Sequence, residues 1–199
     1  MLATALTQMV PESMRLAPLR APILILAGYF IVHFFEHSWL AHFHFGEETH
    51  VDEFVNPRVA YVALSGLLIH TFFDGVAIAS AFLVGPQLGA MVFVAIFLHK
   101  LPEGVTISSL YLAVGRSAGQ AVSAAALLGL ATLAGVLLTD YVGFLVRHGL
   151  ALSAGVTIYV AASNLVPEFQ GKRGWRLPAA FFAGAGVFFA TKVLLDRVS

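Results

Sequence analysis

Residues 69–80 read Ile-His-Thr-Phe-Phe-Asp-Gly-Val-Ala-Ile-Ala-Ser, and residues 98–109 read Leu-His-Lys-Leu-Pro-Glu-Gly-Val-Thr-Ile-Ser-Ser. Laid over one another, His70 matches His99, Asp74 matches Glu103 and Gly75 matches Gly104. Both copies lie inside strongly apolar stretches. On a helix, positions i and i+4 share a face, so each copy aims an imidazole and a carboxylate at the same point. Two such helices side by side can surround a divalent cation with nitrogen and oxygen ligands, a set suited to zinc and its first-row neighbours. Ionisable groups within a bilayer are costly and mark ion or substrate pathways. The pattern therefore points to the handling of a metal ion inside a membrane.

Composition supports the membrane half of that reading. Of 199 residues, 59% are hydrophobic and 11% charged, with a mean hydropathy of +0.86, far from the mixture of a soluble domain. The zero net charge and lack of a long basic run remove any electrostatic case for nucleic acid. Without cysteine there is neither a disulfide framework nor a thiolate metal site, so any cation must be held by nitrogen and oxygen. The N-terminus lacks the features of a cleaved secretory signal. Stretches long enough to span a hydrocarbon core lie near residues 22–43, 60–83, 88–112, 121–146, 149–167 and 178–195. The expected fold is all-α, a polytopic membrane helix bundle of about six full transmembrane helices. Its breaks carry turn residues: Asn56-Pro57, Gly85-Pro86, Gly115-Arg116, Arg147-His148-Gly149 and the run from Gln170 to Gly174. Trp39 and Trp175 fall near the expected membrane boundaries, as interfacial anchors do.

A longer-range repeat bears on mechanism. Thr7-Gln8-Met9-Val10-Pro11-Glu12 resembles Ser163-Asn164-Leu165-Val166-Pro167-Glu168, and at the same offset Pro22 matches Pro178 and Gly28 matches Gly184. An odd number of crossings between the copies makes them run in opposite directions, the inverted repeat of secondary transporters. The segment 121–146 would have its counterpart before Met1. The chain is accordingly expected to be one domain over 1–199, shortened at its N-terminus, with residues 1–21 a helix remnant plus linker.

Smaller features qualify the site. Pro102 removes the hydrogen bond to the carbonyl of Leu98, freeing an oxygen for a cation or its water. Thr71 and Lys100 follow the two histidines. An ammonium at Lys100 occupies or repels a second cation, or serves as counter-ion to Asp74 or Glu103, so one principal metal site is expected. The bland alternative for the four ionisable residues is a set of interior polar groups tying helices together. His33-Phe34-Phe35-Glu36-His37 fits the H-x-x-E-H pattern of a metallopeptidase, with His33 and His37 as ligands and Glu36 as base. It runs into His42, His44, Glu47, Glu48, His50, Asp52 and Glu53, so a His/acid-rich metal-gathering loop over 44–58 accounts for it better than peptidase chemistry.

These residues resemble the ZIP (Zrt/Irt-like) divalent metal transporters. The H-x-x-x-[DE]-G and H-x-x-P-E-G patterns at His70 and His99 carry the likeness. The resemblance implies eight helices with a metal site between the fourth and fifth, here residues 60–83 and 88–112, and His70, Asp74, His99 and Glu103 as ligands. It implies that His42 to His50 lie in a cytoplasmic loop and that Val166-Pro167-Glu168 ends the seventh helix. The chain would lack the first helix and part of the second. Thr71 and Lys100 depart from binuclear members. The implied activity is carriage of Zn2+, or of Fe2+, Mn2+ or Cd2+, toward the cytoplasm by alternating access, not an enzymatic reaction. The protein would sit in the cell (plasma or inner) membrane, with lipid and a second copy of itself, in a homodimer, as expected partners. A non-transporting metal-binding or sensing protein is the main alternative, and a membrane metallopeptidase using residues 33–37 the other.

Overall fold

The computed structural model describes residues 1–39, 57–165 and 175–198, and every regular element among them is helical. The first run, α1, covers residues 2–16 as Leu2–Thr4, a π-helical turn at Ala5–Met9, and Val10–Leu16. It is followed by α2 (Ala21–Trp39), α3 (Pro57–Val84), α4 (Pro86–Ala113), α5 (Ala118–Tyr141) and α6 (Gly143–Tyr159). A π segment, Val160–Leu165, continues α6, and α7 is Arg176–Val198. Five stretches among the described residues are long and apolar enough to cross a membrane: Ala60–Val84, Pro86–Ala113, Ala118–Tyr141, Gly143–Ser163 and Pro178–Leu195. A shorter apolar stretch, Ala21–Phe35, lies in α2. The protein is an all-α integral membrane bundle.

Local chemistry sets most helix ends where the sequence places them. Pro57 and Pro86 open α3 and α4, where a missing N–H costs nothing. Gly115 at φ +77° lies beyond the end of α4 in the left-handed region, and Ser117 with Gln120 forms a reciprocal capping box for α5. One expected break is corrected. Arg147-His148-Gly149 lies inside α6, because the chain turns at Val142 (φ −102°, ψ 97°) between Tyr141 and Gly143. Gly149 is a packing glycine instead: a Cβ there would stand 2.3 Å from Ser80 Oγ of α3. The spans expected at 121–146 and 149–167 shift accordingly.

α3 and α6 form the centre, with 50% and 61% of their most apolar windows buried, whereas none of the α7 window is. Two crossings allow this density. A Cβ on Gly75 would lie 2.0 Å from the Thr132 carbonyl oxygen, and one on Gly135 would lie 2.0 Å from that of Phe72. The same reciprocity joins Gly28 to Leu152 and Gly155 to Ile25. Backbones this close use the only residue with no Cβ, as small residues do wherever membrane helices pack tightly. Ala60, Ala63 and Leu64 cluster with Ala121, Ala124 and Leu128, while Phe72 and Gly75 meet Thr132 and Gly135, so α3 and α5 run in the same direction. Gly104 does not follow its partner Gly75: nothing among the described residues comes within 4 Å of a Cβ there. A repeat of the sequence is thus not a repeat of the packing among the described residues.

The long-range repeat has a structural trace. Its offset carries the π turn Ala5–Met9 onto residues 161–165, inside the π segment Val160–Leu165. Matched π turns are uncommon enough in helices to mark a shared local design.

Gly75→Ala and Gly135→Ala should each lower stability by about 1–3 kcal/mol, because the added methyl meets backbone that cannot move aside. Gly129→Ala, which meets nothing within 4 Å, serves as control and should leave stability unchanged or slightly raised. Thermal unfolding in detergent micelles reads the difference, and equal midpoints for all three would contradict the crossing.

Candidate metal centre

α3 presents His70 and Asp74 one turn apart, and α4 packs beside it with His99, Lys100 and Glu103. Three neighbours fix where Asp74 sits. Ser153 of α6 donates a hydrogen bond to the Phe73 carbonyl at 3.0 Å, Gly75 is pressed against α5, and Ser80 faces Gly149. The remaining side of this turn faces α4. Asp74 is 2% exposed, so its charge is desolvated and requires partners.

It has three. His99 Nε2 lies 3.1 Å from Asp74 Oδ2, His70 Nε2 lies 3.5 Å from the same oxygen, and Lys100 Nζ donates to it at 2.7 Å. Lys100 also donates to Glu103 Oε2 at 2.8 Å, so one ammonium bridges the two carboxylates. The imidazole rings of His70 and His99 face each other with centroids 5.8 Å apart. One ligand atom from each of His70, Asp74 and His99 falls within 4.8 Å of the others. Zinc ligands at about 2.0–2.2 Å from a tetrahedral ion stand roughly 3.4 Å apart, and the spacings of 3.1 and 3.5 Å straddle that value.

His99 is held at both ring nitrogens. Its Nδ1 lies 2.9 Å from the Ala95 carbonyl oxygen and its Nε2 3.1 Å from Asp74 Oδ2. Both oxygens can only accept, so the ring donates to one of them when neutral and to both when protonated. Metal-binding histidines are commonly held in this way, one ring nitrogen bound to a carbonyl and the other free to ligate. His70 Nδ1 and Glu103 Oε1 are buried without a hydrogen-bond partner among the described residues. Thr71 is fully buried and spends its hydroxyl proton on the Leu68 carbonyl at 3.1 Å.

The structure therefore brings together His70, Asp74 and His99. Glu103 stands one turn further along α4 and joins the cluster through Lys100. Sequence spacing foresaw Lys100 as counter-ion to one acid or the other but not as a bridge between them. The roles of Ala95 and Ser153 had no sequence signal, since one acts through a backbone carbonyl and the other is an ordinary membrane serine. His42, His44, Glu47, Glu48 and His50 lie outside the described residues, as do the side chains of Glu36, His37 and Asn164. His33 lies in α2 within an aromatic group, its ring 6.4 Å from that of Tyr29 and 5.8 Å from that of Tyr159. Tyr29 in turn meets Ser163 Oγ at 3.0 Å.

A helical membrane bundle with imidazoles and carboxylates gathered inside it is the build of a metal-handling membrane protein. The model of the family described as ZIP Zinc transporter matches residues 47–192, and the chain belongs to that family. It is similar to zinc transporter ZIP6 of Pongo abelii and of Homo sapiens, 35% identical to each over 116 residues, or 55% of this chain. The matched region spans only 15% of the length of those relatives. No solved structure matches the chain.

Removing the bridging ammonium should leave two poorly solvated acids facing each other. Lys100→Met is expected to cost roughly 3 kcal/mol in metal-free protein, as when one partner of a buried ion pair is lost. Saturating Zn2+ should restore most of it. Unfolding midpoints measured with and without Zn2+ test this, and a variant as stable as the parent without metal would contradict the bridge.

Proposed function

We propose that the chain carries zinc, or a similar divalent cation, across the cell membrane toward the cytoplasm, with His70, Asp74 and His99 as first ligands and Glu103 as a fourth. The observation that carries this reading is the convergence of both imidazole Nε2 atoms on Asp74 Oδ2, deep within the bundle. With the histidines neutral, as ligation requires, the two carboxylates and Lys100 sum to −1. A divalent ion then leaves the cluster at +1, and neither state strands a large charge among apolar helices.

Lys100 defines the exchange. The ion needs Asp74 Oδ2, which the ammonium holds, so loading shifts Lys100 off Asp74 while its bond to Glu103 keeps it nearby. Lys100 stands where a second cation would otherwise bind, and one ion is carried per cycle. The ligands replace the hydration shell of the ion, and relative motion of two helix groups exposes the site to each side in turn. The drive would be an ion gradient or the gradient of the metal itself.

Uptake of Zn2+ into proteoliposomes tests the reading. Asp74→Asn should reduce the initial rate at least about tenfold, the loss typical when a metal site is disturbed. Glu36→Gln should leave it largely intact, which a peptidase using residues 33–37 would not predict for its own activity. Binding of Zn2+ without uptake would select a metal-binding or sensing role instead. Equilibrium dialysis should give one ion per chain at this cluster, and Lys100→Asp should raise that number; an unchanged count would argue against exclusion by the ammonium.

A further inference from the structure

One rim of the bundle carries a second constellation, separate from the metal cluster. The end of α1, the turn to α2, the end of α3 and the start of α6 border an open cavity of about 760 Å³. Arg15, Arg20, Arg147 and His148 line it, and no acidic residue does. Arg15 is already neutralised, its Nε lying 3.0 and 2.9 Å from the two carboxylate oxygens of Glu12. Arg20 and Arg147 have no ion pair among the described residues. His148 Nδ1 is buried and without a hydrogen-bond partner there. Arg20 immediately precedes α2 and Arg147 lies within the second turn of α6, while the ends of α1 and α3 bring carbonyl groups to the same rim. The two unpaired guanidinia, with no acidic side chain in the lining, leave it net positive.

The rest of the wall says which anion. Leu83 is 53% exposed, Val146 42% and Leu19 87%, an apolar surface open to the bilayer beside the basic groups. A free anion would use the charges and leave this surface bare, whereas a phospholipid satisfies both. We propose that the cavity binds a membrane phospholipid with an anionic headgroup, its phosphate between Arg20 and Arg147, and an acyl chain along Leu83 and Val146. The bound lipid ties α1 and α2 to α3 and α6 at this rim, where the turns are short and few side-chain hydrogen bonds cross.

Native mass spectrometry of the full chain, released from detergent with defined lipids, tests the site. Phosphatidylglycerol should be retained in preference to phosphatidylcholine, by about fivefold for each arginine engaged. Arg20→Gln and Arg147→Gln, singly and together, should erase the preference in steps, while Arg197→Gln, in the last turn of α7, should not. All three replace exposed side chains, and the single variants carry the test if the double variant does not fold. Equal retention of the two lipids by the parent, or a preference that survives both substitutions, would overturn the proposal. So would displacement of phosphatidylglycerol by millimolar inorganic phosphate, which would assign the site to a free anion.

Discussion

A carboxylate taken out of water must be met by charge or by hydrogen-bond donors, and Asp74 is the place where this chain faces that requirement. At 2% exposure its oxygen Oδ2 gathers two imidazoles and an ammonium from two helices. No other residue in the described bundle draws together so many ionisable partners. The pairing of α3 with α4 at this level follows from that demand.

Geometry supplies what charge alone cannot. The turn of α3 that bears Asp74 is pressed by α5 through Gly75 and Gly135, and bonded by α6 through Ser153 and the Phe73 carbonyl. With those sides fixed, the acid cannot swing away from α4. On the facing helix, the Ala95 carbonyl orients the ring of His99. The cluster is thus built on rigid elements and aimed by contacts outside it, the condition for a site that holds an ion in a defined geometry. Lys100 completes the cluster, its ammonium bonded to Asp74 at 2.7 Å and to Glu103 at 2.8 Å, so one residue serves as counter-ion to both acids.

The legible part of this architecture was legible for physical reasons. Long apolar runs leave helices as the main option in lipid, and Pro57, Pro86 and Gly115 mark boundaries because their backbones permit little else. The spacing from His70 to Asp74 and from His99 to Glu103 puts each pair on one face whatever the tertiary fold. The unread part depends on neighbours. Gly149 looks like a turn residue and is a contact residue, because the need for a small side chain arises from Ser80 on another helix. Gly75 and Gly104 are identical in the repeat, yet only the first has a helix seated on it among the described residues. Glu103 matches Asp74 in sequence but joins the cluster through Lys100 rather than through the histidines, a consequence of where α4 sits rather than of its own pattern. The His- and acid-rich residues from 42 to 50 lie outside the described residues, so the sequence reading of a metal-gathering loop stands on composition alone.

Anomalous diffraction at the zinc edge from crystals of the zinc-loaded protein addresses the central claim directly. The account predicts one strong peak between α3 and α4, about 2.0–2.2 Å from a nitrogen of His70, a nitrogen of His99 and an oxygen of Asp74, with Lys100 turned toward Glu103. A strong peak elsewhere in the molecule, with Lys100 still seated on Asp74 and no zinc density between the two histidines, would contradict it.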